Sequence, residues 1–202
     1  MERNSFTRFR SFVALSAAAL ALAAMSARAA DVRPMLKAGV DTGGDKLLTV
    51  TFTDGSTKTI RANEGLFVGA GASIVNETKD MEAELSLSAK FATISANNGD
   101  VTWSRFPLDA LVFYRFPNVR VGGGLTYHIN PKVSSSGVAL IPSDVQVDNA
   151  LGYVLQADYR FGEKIGLGLR YTGLEYKLHS ASAGTSATAK SNGIGVVFSV
   201  SF

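Results

Sequence analysis

The chain has 202 residues, no cysteine, 18% charged side chains and a formal charge of +3. Without cysteine it has neither disulfides nor thiol chemistry. The positive charge suggests a nucleic-acid partner, but its placement excludes one: Arg3, Arg8, Arg10 and Arg28 face only Glu2 in the first 29 residues, and 16 basic and 16 acidic residues remain beyond them.

Those first residues have their own logic. Three arginines precede an uncharged run, Ser11–Ala27, rich in Ala and Leu, and the small residues of "ARA", Ala27–Ala29, follow it. Charge, apolar core and small residues in that order predict a secretory signal peptide over 1–29, cleaved after Ala29. The apolar core is about a dozen residues, too short for the ~20 of a spanning helix. The remaining chain, 30–202, is long enough for one domain and has no long apolar run.

Its apolar residues instead alternate with polar ones. Two weaker segments, Val32–Asp41 and Gly65–Val75, come first. In "DMEAELSLSAKFATIS" Met81, Ala83, Leu85, Leu87, Ala89 and Phe91 share one face, with Glu82, Glu84 and Lys90 on the other. The phase recurs in Phe106–Phe116, opposite Arg105, Asp109 and Arg115, and in Val119–Ile129, opposite Arg120 and His128. It continues in Leu151–Phe161, opposite Asp158 and Arg160, in Ile165–Tyr171, opposite Arg170, and in Ile194–Phe202. Period-two alternation this long predicts strands beyond the ~5–6 residues usual in globular sheets. The fold expected is all-β, an eight-stranded antiparallel up-and-down transmembrane barrel.

Turn residues sort the strands into hairpins. Short links fall at 77–79, 117–118 and 162–163. Long polar links are expected at 42–63, 96–103, 131–144 and 179–190, and the first contains a hairpin of its own around Asp54-Gly55. Short turns at one end and long loops at the other are the asymmetry of outer-membrane barrels, which makes the long links extracellular.

No charge falls on the apolar face. The opposite face carries Lys37, Asp41, Glu82, Glu84, Lys90, Arg105, Asp109, Arg115, Arg120, Asp148, Asp158, Arg160 and Arg170. Eight strands leave an interior just wide enough for side chains, so these residues are expected to form a packed lumen network of ion pairs. Glycines on that face, including Gly69, Gly71, Gly122, Gly124, Gly166 and Gly168, are expected to make room for the long side chains. Tyr114, Phe116, Tyr159, Phe161 and Phe202 close descending strands and predict an aromatic girdle at the short-turn rim, in the periplasm.

Phe202, with Phe198 and other apolar residues on alternate positions, resembles the C-terminal assembly signal of bacterial outer-membrane proteins, which implies a barrel-assembly machinery as partner. The signal peptide, eight amphipathic strands and terminal Phe resemble the small outer-membrane barrels of the OmpW and OmpX type. That resemblance implies a Gram-negative outer membrane, its lipids as surroundings, and roles in adhesion, membrane maintenance or transport of small apolar molecules. Lipid A deacylases of similar architecture carry a His-x-Ser motif. Here His128 precedes Ile129 and Asn130, so the nucleophile lacks its hydroxyl, and His179 lies in a Ser-rich loop. Asp148 could orient His128 only at matching height. With two scattered histidines no metal site or cofactor is expected. The role expected is structural or loop-mediated, with the identity of an extracellular loop partner open, a narrow conduit for small apolar solutes as the alternative and a lipid A-modifying enzyme third.

Overall fold

A computed structural model describes residues 31–51, 57–96, 99–136, 145–180 and 186–202. The expected signal peptide and the Asp54-Gly55 turn lie outside the described residues. Eight long strands form the wall: β1 (Asp31–Gly43), β4 (Gly65–Val75), β5 (Met81–Ala96), β6 (Gly99–Arg115), β7 (Val119–Ser136), β9 (Ala150–Phe161), β10 (Ile165–Ser180) and β12 (Gly193–Ser201). Four shorter ones, β2 (Lys46–Thr51), β3 (Thr57–Arg61), β8 (Val145–Val147) and β11 (Ser186–Lys190), lie in the long connections. Each wall strand pairs antiparallel with its neighbours, in the order β1, β4, β5, β6, β7, β9, β10, β12. The ring closes where β12 returns to β1, with Val196 opposite Val40 and Ser201 opposite Met35. Closure leaves no unpaired edge around the ring, which is what a sheet in lipid requires.

Two of the expected long loops shrink. Ala96–Trp103 is mostly strand, because β5 and β6 stay in register up to Ala96 opposite Gly99. β7 continues past its expected end at Ile129 to Ser136. A one-residue bulge opposite Ser104–Phe106 lets it do so, with Asn130 at φ 48°. Pro131, which donates no ladder hydrogen bond, is tolerated at such an irregularity. In the last connection β10 runs to Ser180 and β11 pairs back on it, Glu175 opposite Lys190. The first connection folds as the expected hairpin, Thr51 opposite Thr57.

The wall changes character along its height. Between Met81 and Phe91 the outward residues of β5 are apolar; Leu85, Leu87 and Phe91 are 43%, 50% and 42% exposed. Those ten steps rise roughly 25 Å at ~3.3 Å per residue and ~40° of tilt, the height of a barrel's apolar band. Above that band the pattern inverts. Thr93 and Thr102 face outward and share a hydrogen bond of 3.0 Å, while Ile94, Val101 and Trp103 turn inward and are buried. With Ile60, Ala62, Ala150, Leu174 and Tyr176 they build an apolar core in the long-loop end of the barrel. The structure thus carries two interiors, a charged one within the band and an apolar one above it.

Candidate functional site

The charged interior is a ladder of shared partners. Arg120 is the lowest hub: its Nε lies 2.6 Å from Asp158, Nη1 2.7 Å from Glu82 and Nη2 3.2 Å from Glu84, and its guanidinium lies 4.0 Å from the centre of the Phe113 ring. Arg115 adds a longer contact to Glu82, 3.4 Å. One level up, Lys37 joins Glu84 (3.2 Å) to Asp109 (2.8 Å), and Asp109 also accepts from Thr126 and meets Arg170 at 3.3 Å. Higher again, Lys90 donates to Asp41 (2.5 Å) and to Asn63 Oδ1 (3.1 Å). Each carboxylate in this low-dielectric interior meets a cation, without which burial would cost several kcal/mol per ion.

Among the described residues Arg105 and Arg160 are the exceptions, since neither makes an ion pair with a carboxylate. Arg105 donates to the backbone carbonyls of Asn63 (3.0 Å) and Glu64 (2.7 Å), and Arg160 to the carbonyl of Glu163. Gly168 and Gly195 supply room by close approach. A Cβ on either would fall 1.7 Å from a carboxylate oxygen, of Asp158 and Asp41 respectively. Gly122 and Gly124 differ from expectation, because their neighbours are Phe113 and Leu111, inward apolar residues, and not Arg or Lys.

Asp148 is not in the lumen. It lies in the outer connection, where its carboxylate meets His179 Nε2 at 2.9 Å with both side chains about half exposed. The alternation that placed it inward fails because the chain breaks between β8 and β9. His128 is therefore not oriented by Asp148. It is buried at the top of the ladder, and its Nδ1 pairs with the hydroxyl of Tyr176.

The chain between β3 and β4 crosses the mouth as a strap. Trp103 Nε1 donates to the carbonyl of Ala62 (3.2 Å), and the edge of the Trp103 ring meets Tyr176 at 5.3 Å. Arg105 and Lys90 hold Asn63 from below, and Asn63 Nδ2 reaches the carbonyl of Thr42 (3.3 Å). Asp45 ties the hairpin to Lys190 through backbone and side chain, each at 2.8 Å. Sequence reading missed this strap. The signal available was the apolar pair Ile60 and Ala62 beside a polar Asn63, within a stretch read as a solvated loop.

At the other end Glu163, in the β9–β10 turn, meets Arg33 of β1 at 2.8 Å and Lys79 of the β4–β5 turn at 3.1 Å. The Lys79 and Arg33 hydrogen bonds hold its carboxyl down to about 2. In the β4–β5 turn the Thr78 hydroxyl, and after it the Asn76 amide, lower the carboxyl of Asp80. Around this rim Tyr114 packs on Phe116 at 5.0 Å and Tyr159 on Phe161 at 4.9 Å; Phe202 is 63% exposed, and Phe198 lies on the wall above it. A second aromatic ring marks the upper edge of the band, formed by Phe91, Phe106, Tyr153 and Tyr171.

Comparison with known protein families agrees with the closed β-barrel wall. The model of the outer membrane protein beta-barrel domain matches residues 15–202. The chain belongs to that family. It is an outer-membrane β-barrel protein of a Gram-negative bacterium, and membrane lipid surrounds its apolar band. Solved structures similar to it include Ail of Yersinia pestis, in complex with the heparin analogue sucrose octasulfate, at 9% identity over 85% of this chain and 97% of Ail, TM-score 0.49. Neisserial surface protein A is 12% identical over 87% and 100%, TM-score 0.48. The outer membrane protein AlkL, in DMPC bilayers, is 13% identical over 86% and 90%, TM-score 0.49. No curated protein matches the chain.

Proposed function

We propose that this protein is a closed outer-membrane barrel that acts at its long-loop end, as a structural or surface-interaction element and not as an enzyme. The observation that carries the reading is the strap Ala62–Glu64, clasped by Trp103, Arg105 and Lys90 over a lumen filled with ion pairs. On this reading the long-loop end faces the exterior and the Glu163 turn the periplasm, and the last strand, ending in Phe202, is the address for the assembly machinery. His128 supports a structural role, since the hydrogen bond it makes among the described residues is to the Tyr176 hydroxyl. The test is conductance in planar bilayers, with no discrete steps expected; steady unitary currents would sink the closed reading. Replacing residues 50–58 by a short turn, with Ile60–Glu64 kept, should leave folding intact and abolish binding to host or neighbouring cell surfaces.

One feature favours a conduit for small apolar solutes. A cavity of about 360 Å³ reaches from outward Val40, Leu66 and Phe91 to inward Ile60 and Ile94, beside the start of β4. Uptake of an apolar tracer that stops on Ile60→Trp would establish that reading over the closed one.

A further inference from the structure

We infer that the outer wall holds one acyl chain of the surrounding membrane lipid in a fixed trough across five strands, and that this site reads the chain and not the head group. Strand register lays the trough out. Val40 stands opposite Val196, Val196 opposite Leu169, Leu169 opposite Ala157 and Ala157 opposite Val121. Two residues nearer the long-loop end of the same strands, Thr42, Ile194, Tyr171 and Leu155 form a second outward row. A cavity of about 570 Å³ lies between the rows, with Gly195 and Gly122 in the row that separates them. Asp41 and Arg170 of that middle row turn their charges into the lumen, to Lys90 and Asp109. The trough runs roughly 19 Å, four inter-strand steps of ~4.8 Å, and is roughly 7 Å across, two residues of a strand. Side chains along it lack neighbours on the trough side. Leu169 and Ile194 are 69% and 64% exposed, more than any other leucine or isoleucine among the described residues. Their missing dispersion contacts are restored only by an apolar group lying in the trough.

Place and shape both select a lipid chain. Beyond Val40 the first row continues through Leu66 to Phe91, at the upper edge of the apolar band. Beyond Val121 it continues through Tyr114 to Met81, at the lower edge. The trough therefore slopes down the middle of the band, on a surface that membrane lipid already covers. Tyr114, with Phe116 packed on it at 5.0 Å, stands across the lower end. The hydroxyls of Thr42 and Tyr171 lie along the upper row, the side from which an ester head enters. One leaflet is about half of the ~30 Å hydrocarbon core, so the trough takes a chain over most of its length. Neither outward row carries a charge, which leaves nothing to recognise a head group. A second barrel fits poorly, because a trough one chain wide cannot receive a strand wall, and stable association buries roughly 1,200–2,000 Å².

The test uses the intact barrel in vesicles of palmitoyl-oleoyl phosphatidylcholine, doped with the same lipid carrying a photoreactive diazirine midway along its palmitoyl chain. After illumination, adducts mapped by mass spectrometry should fall severalfold more often on Leu169 and Leu155 than on Val68 and Leu87, exposed outward residues of the same band. Unlabelled palmitoyl lipids with phosphoglycerol and phosphoethanolamine heads should compete equally. Ala157→Phe places a ring in the trough and should abolish the enrichment. Ala70→Phe, outward on β4 opposite Leu36, should preserve it. If Ala157→Phe does not insert, the adduct pattern of the unaltered protein still decides. Adducts spread evenly over both pairs of residues, competition that depends on the head group, or barrel-to-barrel cross-links at the trough overturn the inference.

Discussion

The two interiors of the barrel solve one problem in opposite ways. Within the lipid band the outside must be apolar, so the inside is left to Arg120, Asp109, Lys37 and their partners. Above the band water wets the outside, so Thr93 and Thr102 turn out, and Ile94, Val101 and Trp103 fill the inside as in a soluble protein. The same strands carry both regimes, and the switch falls between Phe91 and Ile94 on β5 and between Phe106 and Trp103 on β6. A barrel of this kind is thus a membrane protein with a small water-type core on top, and the two halves should fail differently.

The ladder should fail hardest. Asp109→Asn leaves Lys37 and Arg170 facing each other without their shared carboxylate, and breaking a buried pair in this way costs about 3–5 kcal/mol. The expected result is loss of the heat-modifiable band, or a conversion temperature lowered by many degrees. An unchanged temperature would mean that water fills the lumen freely. The outer wall comes next. Leu155→Arg, at a position 57% exposed to lipid, should lower insertion by about 2–4 kcal/mol. Gln156→Arg, one residue along and inward beside Asp158, should be milder. Equal effects would erase the distinction between the two faces.

The mouth should fail locally. Trp103→Leu removes the indole N–H bond to Ala62 and part of a buried ring, worth about 1–3 kcal/mol. The barrel below has its own pairing and should keep its conversion temperature. The strap should show the loss, as faster amide exchange at Ala62 and Asn63. If exchange spreads to Leu111 and Phe113, the two cores are one cooperative unit.

The same division explains what the sequence made legible. The lipid-facing alternation is long and free of charge, so strand number, phase, ring and most of the ladder follow from it. The ladder's pairings do not, because Arg120 meets Glu82 across 38 residues and only the closed ring sets that contact. The mouth misleads for a sharper reason. In "KFATISANNGDVTWSRF" the apolar set changes parity, from Phe91 outward to Ile94 inward, so a period-two reading sees a break and reports a loop where the strand continues. Asp148 is the same error reversed, a parity carried across a break in the chain.

The smallest expected effect lies outside both interiors, at the turn-end rim. Glu163 is held below the usual carboxylate range by Lys79 and Arg33, to about 2. A carboxylate lowered on folding stabilises the folded state above its unfolded value, near 4.5, and that stabilisation is lost as pH falls toward about 2. The group is half exposed, so screening limits the effect to the range of surface pairs, about 0–1 kcal/mol. The clamp nevertheless joins β1 to the turn before β10, on either side of the seam where β12 closes on β1. Acidification from pH 5 to pH 2.5 should therefore lower the conversion temperature slightly, and Glu163→Gln should remove that part of the pH dependence, so that the two proteins differ less at pH 2.5 than at pH 5. High salt should shrink the difference at pH 5, as expected for exposed ion pairs. If Glu163→Gln instead matches the parent protein at pH 5, the seam is held by its backbone ladder alone.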